Sequence, residues 1–181
     1  YNICKVLKEV LGADAFCIAD ESVYDSPSII AMGKLAAKLN MHMTLCPFTG
    51  YTYWDDILKS SDANVVDALY LQCYDGGAKN EIKDWVEALK PKQPIYPIFM
   101  VRGSFSTCDT YKGSKSVAEI KSQLSGFKRD YPEISGAAIW QMEDVKNFVR
   151  MGCAVKEPAS GSAKSVAEFL SQLKKALKSE L

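Results

Sequence analysis

The segment that most constrains the fold is Asp14–Glu21, in which a short apolar run, Ala15–Ala19, leads directly into two carboxylates. The run contains Phe and Ile and is bounded by acids, which is typical of a short buried strand in a parallel sheet. Alternate residues of a strand share a face, so Cys17, Ala19 and Glu21 are expected to point the same way. The segment therefore predicts a buried strand that presents Glu21 at its carboxyl end.

Four further strand-like runs follow, and each is followed by a segment whose apolar residues have helical spacing. Ser116 with Glu119 has the spacing of a capping box, which marks the start of one of these helices. A long loop is expected over Glu143–Ser162. The predicted strands after the first are Met41–Phe48, Ala68–Tyr74, Ile95–Val101 and Gly136–Met142, and the predicted helices are Ser28–Leu39, Trp54–Ser60, Glu81–Leu89, Ser116–Arg129 and Ser165–Leu177.

Strands that are separated by helices run parallel, with right-handed crossovers between them. Two α/β architectures fit this alternation: part of a TIM-type (β/α)8 barrel, or an open five-stranded doubly wound sheet. In both, functional residues follow the carboxyl ends of the strands, where the longer loops of this chain lie. A nucleotide-binding open sheet usually has a Gly-rich or hydroxyl-rich loop after its first strand. Here that strand ends in Asp20-Glu21-Ser22, which favours the barrel.

Composition narrows the range of partners. Lys plus Arg and Asp plus Glu both number 22, so the formal net charge is zero. This balance gives no electrostatic reason to expect nucleic acid or an anionic membrane as a partner. No apolar run approaches the ~20 residues of a membrane-spanning helix. The cysteines lack CxxC or Cys/His spacing, so no metal and no cofactor is predicted. Cys17, Cys46 and Cys73 lie within predicted strands and are expected to be small buried side chains.

A length of 181 residues predicts a single α/β domain over residues 1–181. The first residues, Ile3–Leu11, resemble the second half of a helix, and we expect the domain to be an incomplete portion of a larger barrel. Such a portion leaves both edge strands unpaired. We therefore expect an additional chain or subunit to cover the first strand, Ala15–Ala19, and the last, Gly136–Met142.

Four strand ends resemble, in the same order, the strand motifs of glycoside hydrolase family 18, the chitinases and their relatives. Asp14–Glu21 is similar to the fourth-strand motif of that family, Asp-Gly-x-Asp-x-Asp-x-Glu. Leu45 and Pro47 resemble the fifth strand, and Gln72–Asp75 resembles the sixth-strand signature, a Gln or Met before x-Tyr-Asp/Asn. Gly136–Trp140 resembles the eighth strand, whose Trp forms the floor of the sugar site. The resemblance implies strands four to eight of a (β/α)8 barrel.

In that family the Glu protonates the glycosidic oxygen, the acetamido group of the substrate attacks, and the Asp two residues earlier orients that group. The resemblance therefore makes Glu21 the candidate general acid. This chain has Ala19 where the family has the assisting Asp, and Cys17 where it has the middle Asp. Asp20 would replace the missing carboxylate only if a local bulge turned it inward. The resemblance thus implies a chitinase-like protein with impaired or lost hydrolysis.

Sugar binding depends more on aromatic rings than on the catalytic acids, because rings stack on the apolar C–H faces of sugars. Several aromatic residues lie at or just after predicted strand ends. Tyr53 and Trp54 are two of them. The predicted substrate-binding residues are Tyr51, Gln72, Tyr74, Asp75 and Trp140.

The leading hypothesis is a carbohydrate-binding, chitinase-like protein whose ligand is a β-linked glycan containing N-acetylglucosamine. One alternative is an active glycoside hydrolase with Glu21 as the acid and Asp20 or Asp75 in place of the missing Asp. Another is a structural barrel that serves as a scaffold in an assembly, and a further one is a complete open α/β domain that binds a small molecule. The family resemblance alone favours an extracellular or secretory location.

Overall fold

The computed structural model describes residues 2–60, 65–74, 81–101, 115–151 and 165–178 of the chain. These residues form an α/β fold in which helices alternate with parallel strands. The strands are β1 (Ala15–Ile18), β2 (His42–Leu45), β3 (Val66–Gln72), β4 (Ile95–Met100) and β5 (Ala138–Trp140). The helices are α1 (Asn2–Glu9), α2 (Ser26–Lys38), α3 (Tyr51–Lys59), α4 (Ile82–Leu89), α5 (Val117–Asp130), α6 (Met142–Arg150) and α7 (Val166–Lys178).

The five strands form one sheet in the order β1-β2-β3-β4-β5, so hydrogen-bonded neighbours follow one another along the chain. This confirms the predicted fold class of parallel (β/α) units. A doubly wound sheet reverses its strand order at one point, where its ligands bind. The described strands advance without such a reversal, as strands do around a TIM barrel. Of the two predicted architectures, the strand order favours the barrel type.

The chain divides into two compact units, and the first comprises Tyr1–Gln72 with Gly76–Tyr96. Here Ile18 of β1 pairs with Leu45 of β2, which in turn pairs with Leu69 of β3. Because all three strands run parallel in this register, their carboxyl ends lie at one edge of the sheet. The core of the unit consists of fully buried side chains from the sheet and from α3 and α4: Met43, Leu45, Trp54, Ile57, Leu69, Leu71, Ile82 and Trp85.

The second unit comprises Cys73–Asp75 with Pro97–Leu181. In it, the end of β4 pairs with β5, with Met100 opposite Trp140. Phe148 of α6 and Phe169 of α7 are buried and meet edge to face, with ring centroids 5.6 Å apart. Ser116 and Glu119 form the predicted capping box at the start of α5: the Ser116 side chain accepts from the Glu119 backbone, and the Glu119 carboxylate accepts from the Ser116 backbone.

Two sequence-based expectations are wrong. The loop expected over Glu143–Ser162 contains helix α6, whose start coincides with the acids Glu143 and Asp144 and which buries Val145 and Phe148 three residues apart. Acids in the first turn stabilise a helix by opposing its macrodipole, and this signal was present in the sequence. Strand β1 is not buried, because it is an edge strand of the described sheet and leaves alternate residues exposed.

None of the described helices is both long and apolar enough to cross a membrane.

Candidate functional site

The carboxyl ends of β1, β2 and β3 bring Glu21, Cys46 and Gln72 together within the first unit. The backbone fixes this arrangement. The N–H of Cys46 donates to the Ile18 carbonyl at 2.7 Å, and the N–H of Gln72 donates to the Pro47 carbonyl at 3.2 Å. Hydrogen bonds between neighbouring parallel strands hold their ends in register. Two of the predicted site residues, Glu21 and Gln72, are therefore neighbours in space although 51 positions separate them in the chain.

Gln72 is the polar centre of this cluster. Its side chain is only 5% exposed, and its Nε2 donates to the Glu21 Oε1 at 3.0 Å and to the Cys46 carbonyl at 3.3 Å. A buried amide needs such partners, because an unpaired polar group in the interior costs about 1–3 kcal/mol. The bond to Gln72 restricts the orientation of the Glu21 carboxylate, whose residue is exposed to solvent. The result is an oriented, accessible carboxylate at the end of a strand.

Asp20, the weak alternative for the catalytic acid, is engaged in a different set of contacts. Its carboxylate accepts from the backbone N–H groups of Ser22, Val23 and Tyr24 at 3.2, 3.0 and 2.8 Å. It also accepts from the Tyr53 hydroxyl at 2.8 Å. Partial burial acts to raise the pKa of Asp20, but the hydrogen bonds from Val23, Tyr53, Ser22 and Tyr24 outweigh it and lower the pKa below its usual value. Asp20 thus fixes the loop after β1 and ties it to α3.

Ala19 and Cys17, where the family has carboxylates, are both exposed. Ala19 has no polar group to offer a ligand. The Cys17 Sγ lies 3.3 Å from the Cys46 Sγ. Cys46 is buried, as predicted, and Cys73 is half-buried, but the expectation of a buried Cys17 is wrong because β1 is an edge strand. Beside β1 lies a cleft of about 400 Å³ that Ala19 and Cys17 help to line, with the start of α2 on its other side.

Tyr51 and Tyr53, expected in the loop after β2, lie with Trp54 on helix α3. Trp54 is fully buried and donates from Nε1 to the Thr49 carbonyl at 2.8 Å, and Tyr53 is buried with its hydroxyl on Asp20. These two rings belong to the core and are not available to stack on a sugar. Tyr51 is half-buried, and its ring meets that of Trp85 edge to face at 4.5 Å. Burial raises the pKa of Tyr51, so its hydroxyl is neutral at physiological pH.

The remaining predicted site residues belong to the second unit. Trp140 is the last residue of β5 and is 48% exposed, so its ring is available to a ligand. Its backbone carbonyl accepts from the N–H of Val101 at 3.1 Å, and the peptide bond between Trp140 and Gln141 is cis. Tyr74 is half-buried in the turn after β3. Asp75 lies outside the described residues.

Sequence reasoning missed three participants: the Cys46 carbonyl, the Tyr53 hydroxyl and the contact between the Cys17 and Cys46 thiols. Strand alternation predicts which face a residue occupies, but a backbone carbonyl as acceptor has no sequence signature. Tyr53 could have been found only by placing the start of α3 correctly. Within the described residues, no group of three or more His, Cys, Asp or Glu side chains is arranged to hold a metal ion.

No family model, no curated protein and no solved structure matches this chain.

Proposed function

We propose that this protein binds a β-linked glycan containing N-acetylglucosamine, with little or no hydrolysis of it. The observation that supports this most directly is the Gln72–Glu21 hydrogen bond at 3.0 Å, in a chain that has Ala19 two residues before the acid. It keeps an exposed carboxylate oriented at the carboxyl ends of parallel strands, where ligands of such folds bind. A carboxylate at position 19 that would orient an attacking acetamido group is absent.

The choice of a glycan rests on the strand-end resemblance and on the kinds of side chain available. Carboxylate oxygens accept from sugar hydroxyls and from the N–H of an acetamido group, and Glu21 offers them. Trp140 provides an exposed indole at the end of another strand, where its face can cover the C–H surface of a sugar ring. The first feature belongs to the first unit and the second to the second unit, and each supports glycan binding by itself.

The reason for proposing binding over hydrolysis is the chemistry of the assisting group. Attack by an acetamido oxygen needs a carboxylate that orients the amide and stabilises the positive charge that develops. Ala19 supplies none. Asp20 already accepts four hydrogen bonds, from three backbone N–H groups and from Tyr53, and turning it inward would break all four. Its stabilising role in the loop therefore competes with a catalytic one.

The test combines binding and turnover on the full chain. Titration calorimetry with a β-1,4-linked N-acetylglucosamine tetramer should show saturable binding, and a chromogenic chito-oligosaccharide should show no turnover above that of the Glu21→Gln variant. Trp140→Ala should weaken binding about tenfold, which corresponds to a stacking contribution of about 1.4 kcal/mol. Met142→Ala is the matched control, because Met142 is also an exposed apolar residue but lies on α6.

Three results would separate the alternatives. Turnover that is lost in Glu21→Gln would replace the proposal with an active hydrolase. Absence of both binding and turnover would contradict a glycan function and leave the scaffold hypothesis. Equal affinity of the wild type and Trp140→Ala would remove Trp140 from the site but retain Glu21 if Glu21→Gln still weakened binding.

We also propose that an additional chain or subunit covers the edge at β1. β1 is the first strand in the described sheet order, and its Ala15 and Cys17 are exposed. Helix α1 exposes the apolar side chains of Ile3 and Val6, and Val10, just after the helix, is exposed as well. Apolar groups at this helical spacing usually pack against another element. Sedimentation velocity should show self-association of the wild type that is reduced in a triple Ile3→Lys, Val6→Lys, Val10→Lys variant. A monomer at all concentrations would exclude a second copy as the covering subunit.

A further inference from the structure

The Cys17 and Cys46 thiols form the second unusual cluster in the first unit. Cys17 pairs with Thr44 across the β1–β2 ladder, and Cys46 lies two residues beyond Thr44, on the same face. The two Sγ atoms are 3.3 Å apart. A disulfide has an S–S bond of about 2.05 Å, so closing one here shortens the separation by about 1.3 Å. A rotation about the side-chain torsions, with a small shift of an edge strand, supplies a movement of this size.

The two thiols differ in access, which gives each a separate role in an exchange reaction. Cys17 is exposed on the edge strand, so a small disulfide can reach it. Cys46 is buried, and desolvation, followed by the hydrogen bond with Cys17, raises the pKa of the Cys46 thiol. A thiol that is kept protonated and out of solvent is a poor first attacker. Cys17 is therefore the thiol that an external oxidant meets first, and Cys46 is the thiol that resolves the product.

We propose that Cys17 and Cys46 are a reversible dithiol–disulfide pair that is oxidised by low-molecular-weight disulfides of the glutathione class. In the first step, the Cys17 thiolate attacks one sulfur of oxidised glutathione, a Cys17–glutathione mixed disulfide forms, and one glutathione thiolate leaves and takes up a proton. In the second step, Cys46 loses its proton and attacks the Cys17 sulfur, and the second glutathione leaves as a thiol. The protein loses two protons and two electrons, which reduce the oxidant to two thiols.

The position of the pair distinguishes it from an accidental contact between two cysteines. The Cys46 carbonyl accepts from Gln72, so the backbone of the resolving cysteine is already held at the strand ends. An ordered backbone lowers the entropy that must be lost when the second step closes the bond, as it does for any intramolecular reaction. This geometry does not involve a glycan, so the redox pair stands or falls independently of the proposed function.

The test exposes the folded full chain to oxidised glutathione, quenches with acid, alkylates the remaining thiols, and maps the cysteines by mass spectrometry of a tryptic digest. Lys34 and Lys38 separate the two cysteines into different tryptic peptides, so a linked pair is identified directly by its mass. Most of the wild-type chain should carry the Cys17–Cys46 link, and reduced glutathione in excess should reverse it. In Cys46→Ser, the reaction should stop at the Cys17–glutathione mixed disulfide.

Cys73→Ser is the matched control, because Cys73 is half-buried and its replacement should leave the Cys17–Cys46 link unchanged. Cys17→Ser should abolish the link, and its circular dichroism spectrum should match that of the wild type because residue 17 is exposed. The proposal is overturned if the wild type stops at the mixed disulfide, if Cys17 links to a different cysteine, or if the link forms only in denaturant.

Discussion

The Asp20→Asn variant distinguishes a structural from a catalytic role for Asp20. Asn keeps one oxygen, so it can still accept from the N–H groups of Ser22 and Val23, which both bond to Oδ1. The amide nitrogen replaces Oδ2, which accepts from the Tyr24 N–H at 2.8 Å and from the Tyr53 hydroxyl at 2.8 Å. Two of the four hydrogen bonds therefore lose their acceptor, and the two that remain lose the negative charge.

The size of the effect follows from these contacts. A hydrogen bond to a charged group is worth about 1.5–3 kcal/mol when it is buried. Asp20 is only partly buried, and contact with solvent reduces each bond to about 0.5–1 kcal/mol. Loss of two bonds predicts a fall of about 1–2 kcal/mol in the free energy of unfolding at pH 7. For a chain of this length, that corresponds to a fall of about 2–8 °C in Tm.

The same variant has a definite pH dependence. Because the pKa of Asp20 is lowered in the folded state, its stabilisation is present above the unfolded carboxyl value of 3.8 and is lost as pH falls through the folded pKa. The stability difference between the wild type and Asp20→Asn should be largest near pH 7 and should shrink below pH 3.8. At low pH the wild-type carboxyl is protonated, and it then stabilises the loop after β1 no more than the amide of Asp20→Asn does.

The assay is urea unfolding at pH 7 and pH 3, monitored by tryptophan fluorescence. Asp56→Asn is the control variant, because Asp56 is an exposed acid on the same helix as Tyr53. A double-mutant cycle with Tyr53→Phe isolates the hydroxyl–carboxylate bond, and a coupling energy of about 0.5–1 kcal/mol is expected. The reasoning would be refuted by an Asp20→Asn variant as stable as the wild type at pH 7, and still more clearly if that variant lost turnover of a chromogenic glycan.

Three further predictions concern other features of the chain. Ser116→Ala removes the side-chain half of the capping box with Glu119 and should cost about 1 kcal/mol in thermal unfolding, whereas Ser116→Thr should cost less; equal stability of both variants would contradict the capping role. Gln72→Met removes the amide that donates to the Cys46 carbonyl and to the Glu21 carboxylate, so the free energy of unfolding should fall by about 1–2 kcal/mol and calorimetry should show weaker glycan binding. An unchanged free energy of unfolding together with an unchanged glycan affinity would remove Gln72 from the site. Ala19→Asp places a carboxylate on the exposed face two residues before Glu21, and it should raise turnover of a chromogenic N-acetyl substrate about 10²-fold relative to Ala19→Asn. If Ala19→Asp binds the substrate normally but gains no turnover, the role assigned to position 19 is contradicted.

Much of the fold could be predicted because local signals and the parallel topology agree. All five strands overlap the apolar runs that predicted them, but β2 (His42–Leu45) is shorter than Met41–Phe48 and β5 (Ala138–Trp140) is shorter than Gly136–Met142. β3 (Val66–Gln72) begins and ends two residues before the predicted Ala68–Tyr74. Pro47 and the residues beside it fit the apolar pattern of a strand, but the pairing of β2 with β1 ends at Leu45. The periodicity of the sequence does not show where that pairing ends. Helix α3 begins at Tyr51, earlier than predicted, because the positive φ of 79° at Gly50 starts the helix there.

The candidate site was predictable only in part. Glu21 and Gln72 were both named as site residues, Gln72 through the family resemblance, but the hydrogen bond between them was not predicted. The burial of Tyr53 and Trp54 was not foretold, because an aromatic residue close to a strand end has the same sequence signature whether it faces a ligand or the core. The exposure of Cys17 was not foretold either, because it depends on what lies beside β1, which is a property of the tertiary structure.

The arrangement separates the residues that build the strand-end framework from those that would carry out glycosidic chemistry. Asp20 holds the loop after β1, and Gln72 joins the ends of β1, β2 and β3. Position 19 has no such structural duty, since its side chain is exposed, and replacing an Asp there by Ala leaves the framework contacts in place. Asp20 cannot take over from the neighbouring position, because a one-residue shift of the strand would turn every side chain of β1 to the opposite face. Under the proposed function, this arrangement retains an oriented Glu21 for binding, and the assisting carboxylate would have to be introduced at position 19 itself.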